Sequence, residues 1–190
     1  MLFGQTTSWA AAPCQKRLKK PYPRFKTAGF YCFEFQHWEA DDVIASLARK
    51  SASAGLSSTI ISTDKGFFQL VDQKIQVLNH FDRQLFNQEE VRARYSIEAT
   101  QLNDLLALTG DTTNHLPGIK GVGIKTATDL LSQYQDLDTL LIQLPELDLK
   151  PRLKEALESQ WRSALLTRKL AKLVTDLPLG INLNDMRLKY

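Results

Sequence analysis

The chain has 190 residues, 43% hydrophobic and 24% charged, the composition of one globular unit able to bury a single substantial core. Its formal net charge of +3 at pH 7 decides nothing about a polyanionic partner. Two cysteines and three histidines, none at metal-ligand spacing, argue against a zinc centre and a disulfide scaffold, and no apolar run reaches the roughly 18–20 residues that span a bilayer, so the expectation is a cytoplasmic protein away from membranes.

Residues 1–38 stand apart from the rest. They hold six Lys/Arg against one acid (Glu34), nine of the seventeen aromatics and both cysteines. Pro21 and Pro23 block a helix around Tyr22, and Phe30 to Phe35 reads as a poor strand. From Glu39 the pattern becomes regular. Ala40, Val43, Ile44, Leu47 and Ala48 recur at helical spacing, and Gly55 supplies a C-cap. The β-branched run Ser58 to Ser62 predicts a buried strand, and Lys74 to Asn79 predicts another. Strand, helix and strand in this order suggest a parallel sheet flanked by helices. Beyond Phe86 only helices are expected: Asn87 or Gln88 to Arg94, Ala99 to Leu108, Thr126 to Tyr134, Leu137 to Leu144, and Trp161 to Val174.

Four constellations carry chemistry. Glu39, Asp41 and Asp42 crowd three carboxylates at a helix start, which repel one another unless a cation offsets them; the alternative is that they only complement the helix dipole, at ~0.3–1 kcal/mol each. Asp64 follows a strand within STDKG, where ligands of open α/β sheets sit, and equally suits the cap of a short helix. LPGIKGVGIKTA, Leu116 to Ala127, has the layout of a helix-hairpin-helix: Gly121 and Gly123 let backbone approach a phosphate, the next helix offers free N–H groups, and Lys120 and Lys125 add charge. Asp111, in GDTTNHLPG, lies just before that hairpin.

EADD, STDKG followed by Gln69 and Leu70, LTGD and LPGIKGVGIKTA, in this order and spacing, resemble the flap endonuclease superfamily of bacterial 5′→3′ exonucleases, and within it the Xni-type (exonuclease IX-like) group. The resemblance spans Glu39 to about Val174. It implies an α/β fold: an incomplete parallel sheet of the PIN-like 5′-nuclease kind in residues 39–86, then a helical DNA-binding region with the hairpin in 87–190, with 1–38 as an atypical basic, aromatic-rich segment. It implies Mg²⁺ (or Mn²⁺) chemistry on flapped or single-stranded DNA by a monomer. Glu39, Asp41 and Asp42 would be metal ligands, with Asp64 and Asp111 on the second-metal side. Lys120, Gly121, Gly123, Lys125 and Thr126 would hold DNA, and backbone at Gly118, Gly121 and Gly123 would hold K⁺.

Two departures from the resemblance are expected to matter. Relatives with a full second metal site carry acids where this chain has Gly66 and Asn114. Such domains also open with a strand ending in an Asp ligand, a further acid and a basic arch, whereas residues 1–38 contain no Asp, so that part is read as missing or replaced. Three functions compete: an active nuclease, a catalytically dead DNA-binding fragment that keeps the hairpin, and a PIN-type ribonuclease. The hairpin speaks against the third.

Overall fold

The structure is a computed structural model, and it describes residues 27–187. The expectations for the proline-bracketed stretch lie outside those residues. Helix α1 (Ala40–Ser53) forms where the apolar spacing places it, burying Val43, Ile44, Leu47 and Ala48. It ends at Ala54, with Gly55 just beyond at φ 81°, in the left-handed region that glycine tolerates best. Strand β1 (Ser58–Ile61) pairs in parallel with β2 (Ile75–Asn79), Ser58 opposite Ile75 and Ile61 opposite Leu78.

The sheet differs from expectation at its edge. A third strand, β3 (Gln84–Phe86), folds back antiparallel on β2, so the sheet among the described residues is mixed, in the order β1-β2-β3. Its turn has no glycine to announce it. The Asn79 side chain instead accepts from the N–H groups of Phe81 and Asp82, and Arg83 takes the left-handed conformation at φ 53°. Phe30 to Phe35 forms no strand: without alternation it has no face to bury, and the Phe33 and Phe35 rings stack on each other at 6.4 Å.

The helices then follow: α2 (Gln88–Tyr95), α3 (Leu102–Thr109), α4 (Ile124–Tyr134), α5 (Leu137–Gln143) and α6 (Pro151–Ala171). The predicted helix at Ala99 opens with one 3₁₀ turn, Ala99–Gln101. Helix α6 starts ten residues earlier than expected, because Pro151 stands at its first turn, where a missing N–H costs nothing. It also stops at Ala171, three residues short of the prediction. Residues 172–182 run without helix or strand along α1, tied to successive turns of one face. Val174 N–H donates to Asp42 Oδ1 (2.8 Å), Ser46 Oγ donates to Val174 O (3.2 Å) and accepts from Leu177 N–H (3.1 Å), and Lys50 Nζ reaches Ile181 O.

One core joins the sheet to the helices. Ile44, Ile60, Phe67, Ile75, Val77 and Phe86 continue without a break into Leu102, Leu108, Leu131, Leu137, Leu157 and Ala164. Buried Asp104 of α3 locks the helical end, accepting from Leu137 N–H at the start of α5 (3.2 Å) and from Arg168 of α6 (3.4 Å). The part with the acids and the part with the hairpin are therefore one packed body among the described residues.

Candidate active site and nucleic-acid interface

Glu39 is the N-cap residue of α1, exposed, with no cap bond from its own side chain. Asp41, in the first turn, is half-buried. Its carboxyl is pushed up from 3.8 to about 6, first by burial and then by the negative charges of Asp64, Glu39 and Asp42. The helix start and the end of β1 thus meet electrostatically at Asp41. Among the described residues, no cation appears in the causes acting on Asp41, and a bound cation would relieve the crowding of like charges there.

The other acids are engaged differently. Asp42 accepts from Val174 N–H, so its carboxylate serves the C-terminal segment. Asp64 caps the 3₁₀ helix Lys65–Leu70 by accepting from Gly66 N–H (2.7 Å), and its own N–H donates to Ser62 Oγ (3.0 Å). The capping role weighed for Asp64 in the sequence is therefore present, alongside its field at Asp41. Asp111 is 1% exposed and accepts from three donors: Lys65 Nζ (3.1 Å), Asn114 Nδ2 (2.9 Å) and Thr113 N–H (3.1 Å). Burial pushes its carboxyl up, but Lys65 and Asn114 outweigh that and hold it below the ordinary value.

Among the described residues, no group of three or more His, Cys, Asp or Glu side chains converges to hold a metal ion. The surroundings of Asp41 fit one hard cation of the Mg²⁺ kind, which takes one or two carboxylates and keeps most of its water. The Asp111 side does not fit a second: its carboxylate is already filled by Lys65, and Gly66 and Asn114 add no charge.

The hairpin is built from both sides. Ile119, Val122 and Ala127 bury its apolar positions. Gly118 lies backbone to backbone against the end of α3: a Cβ there would sit 2.2 Å from the Thr109 carbonyl carbon, so only glycine fits. Asp111 and Leu116 exchange backbone hydrogen bonds (2.9 and 2.8 Å), closing the loop that carries Asp111 onto the hairpin. From α6, buried Thr167 donates its hydroxyl to Pro117 O (2.6 Å), and Gln160 accepts from Lys120 N–H (2.9 Å). Gly121 has φ 91°, and α4 starts after Gly123 with no side-chain cap, leaving its first N–H groups for an outside acceptor. Lys120 and Lys125 are exposed and Thr126 half-buried on this end. Of the three glycines read as a K⁺ cradle, Gly123 already gives its carbonyl to Ala127 N–H (2.9 Å).

Thr167, Gln160 and the pairing of Lys65 with Asp111 escaped the sequence reading. Thr167 and Gln160 lie 50 and 40 residues from their partners, and no local pattern marks them. Gln69 stood beside STDKG as part of the motif, and its role is now visible: its amide spans Gly66 O (2.8 Å), Ala171 O (3.0 Å) and Leu173 N–H (3.1 Å), tying the Asp64 turn to the end of α6.

Comparison with known proteins gives the family and the fold. A family model described as "5'-3' exonuclease, N-terminal resolvase-like domain" matches residues 17–96, and one described as "5'-3' exonuclease, C-terminal SAM fold" matches residues 97–190. The match thus reaches beyond the Glu39–Val174 stretch that the motifs marked. The flap endonuclease Xni of Shewanella oneidensis is 40% identical over 197 aligned positions, covering 97% of this chain and 75% of the relative. That of Colwellia psychrerythraea is 45% identical over 150, covering 79% of this chain and 51% of the relative. In fold, the chain resembles a T5 5'-exonuclease solved with zinc (TM-score 0.72, 20% identity, 87% of this chain and 64% of that one). It also resembles a T5 D15 flap endonuclease solved with DNA and metal ions (TM-score 0.73, 22% identity, 86% and 58%). The chain belongs to the 5′-3′ exonuclease family, a family of nucleases that includes the flap endonucleases named Xni.

Proposed function

We propose that the chain acts on DNA as a divalent-metal-dependent 5′→3′ exonuclease and flap endonuclease, hydrolysing phosphodiester bonds in flapped or single-stranded substrates. The observation that carries this reading is the carboxylate cluster at Asp41, raised by burial and by Asp64 and Glu39 with no cation among the described residues acting on it, in one packed body with the hairpin. Glu39 and Asp41 would hold a Mg²⁺ (or Mn²⁺) ion, with Asp64 facing it from the end of β1. Such an ion, when bound, supplies Lewis-acid polarisation of the scissile phosphate and a water of lowered pKa. The chain's own part is to place the strand. Lys120, Lys125, Thr126 and the backbone of Gly121 and Gly123 grip phosphates without reading bases, which suits a structure-selective rather than sequence-selective enzyme. Carbonyls of Gly118, Gly121 and Gly123 are the candidates for a K⁺ that would tighten the hairpin on the backbone; one hydrogen bond, as Gly123 O has with Ala127 N–H, leaves a second lone pair on the oxygen.

A second reading, DNA binding without cleavage, is favoured by one observation: no three-ligand metal group forms among the described residues. The deciding experiment gives the purified chain a 5′-flap DNA, with Mg²⁺ and with EDTA, beside a binding titration on the same DNA. Mg²⁺-dependent release of the flap supports the enzyme. Binding without release would leave only the second reading, and absence of binding would overturn both.

A further inference from the structure

Past Asp64, the ends of β1 and β2 open into a cleft of about 220 Å³, room for roughly seven waters at ~30 Å³ each, and neither Glu39 nor Asp41 lines it. Lys65 and Arg94 stand on its walls with the hydroxyls of Ser62, Thr63 and Thr113. Asp64 is also on the wall, but one carboxylate oxygen is turned to Gly66 N–H. Lys65 is neutralised by Asp111. Arg94 is not: it has no ion pair among the described residues. Its guanidinium lies 5.3 Å from the Phe86 ring centroid and 5.9 Å from that of Tyr95, and Nη1 donates to Gln84 Oε1 (3.1 Å). Two rings and an amide therefore hold the guanidinium, which is exposed and has no carboxylate partner among the described residues. Ser62 Oγ accepts from Asp64 N–H, which leaves its own proton to give.

We propose that this cleft is a phosphate subsite, taking one backbone or terminal phosphate of the bound nucleic-acid strand between Arg94 and the hydroxyls of Thr63 and Thr113. The chemistry is specific in kind. A planar guanidinium with several donors matches phosphate oxygens, and hydroxyl donors complete the shell without adding charge. The place is also right, since ligands of α/β sheets gather outside the carboxyl ends of the strands. The subsite rests on the nuclease reading above and adds a phosphate contact in a cleft that Asp64 lines and Asp41 does not.

The test compares wild type, Arg94→Gln, Arg94→Lys and the hairpin variant Lys125→Glu in binding to a 5′-flap DNA over a range of KCl concentrations. Inorganic phosphate is titrated separately while the Arg94 side chain is followed by NMR. Arg94→Gln is expected to weaken binding about threefold to tenfold at low salt and to reduce the salt slope by about 0.7–0.9, one phosphate contact's worth. Arg94→Lys keeps the slope, because the charge remains. An unchanged slope in Arg94→Gln while Lys125→Glu binds weakly would overturn the subsite and leave the hairpin reading intact. Phosphate perturbing Arg94 with no change in the DNA slope would make the cleft a free-anion site and overturn the nucleic-acid assignment. A wild type that binds no DNA at all would overturn both readings.

Discussion

Lys65 Nζ lies 3.1 Å from the carboxylate of Asp111, which is 1% exposed, so a lysine of the Asp64 turn is fastened to the loop that leads into the hairpin. The two halves of the candidate site are joined at this pair, and removing the positive member leaves a buried charge facing only neutral donors. Breaking a fully buried pair costs ~3–5 kcal/mol. Lys65 keeps 37% of its side chain in water, so a smaller figure applies. Lys65→Met is expected to cost about 1–3 kcal/mol in urea unfolding, and Asp111→Asn less, since the amide still accepts from Thr113 N–H. In the double variant the penalties should not add. Additive penalties would show that the pair is not formed.

Asp41 is held in a position that costs stability, as expected of the metal ligand proposed here. Its carboxyl sits at about 6 against 3.8 because burial and like charges disfavour the ionised form. Asp41→Asn should therefore stabilise the metal-free protein at neutral pH by about 1–3 kcal/mol while abolishing Mg²⁺-dependent cleavage and leaving DNA binding nearly unchanged. Calorimetry in EDTA and a flap assay read the two effects separately. Loss of stability together with loss of binding would refute the role given to Asp41.

The hairpin is braced by α6 through Thr167, whose buried hydroxyl donates to Pro117 O. Thr167→Val keeps the shape and removes the donor, leaving a carbonyl short of its partner at a cost of about 1–2 kcal/mol. DNA affinity should fall in the folded protein as well, since Pro117 anchors the turn, and Thr167→Ser should restore both. A valine variant that binds DNA like wild type would show that the brace does not position the hairpin.

Lys125→Glu should weaken DNA binding across unrelated sequences and flatten its dependence on salt, because the side chain is expected to meet phosphate rather than bases. A sequence-dependent loss would argue for base contacts instead.

Stability should peak on the acid side of neutrality. Asp72 and Asp111 lie below 3.8, burial being outweighed by Lys74 N–H, Ile75 N–H and Arg49 in the first and by Lys65 and Asn114 in the second; Asp138 is lowered by Arg168. Each contributes stability that is fully present above the unfolded value of 3.8 and is lost as pH falls through the lower folded value. Asp104, raised by burial against the pull of Leu137 N–H and Arg168, works the other way, as does Asp41: the folded state gains as they take up protons. Urea midpoints should rise modestly on going from about pH 7 to about pH 5, then fall below about pH 4. A steady rise down to about pH 2 would mean that the depressed acids are unpaired.

The sequence determined on its own what rests on short-range pattern. Apolar spacing located α1, the β-branched run Ser58 to Ser62 located β1, and the glycines with their flanking lysines marked the hairpin, because each signal lies within a few residues of the element it specifies. Crowding at Glu39, Asp41 and Asp42 raised a bound cation as one of two readings, the other being acids that complement the helix dipole. The tertiary structure decided which partner each acid meets. Asp42 turns to Val174, 132 residues away, and Asp111 turns to Lys65, while Asp41 and Asp64 are left facing each other electrostatically. It also decided that the hairpin is held by Thr167 and Gln160, and that a glycine-free turn adds β3 to the sheet. A carboxylate's partner is set by what packs against it, and partners brought in across the core leave no periodic trace in the chain.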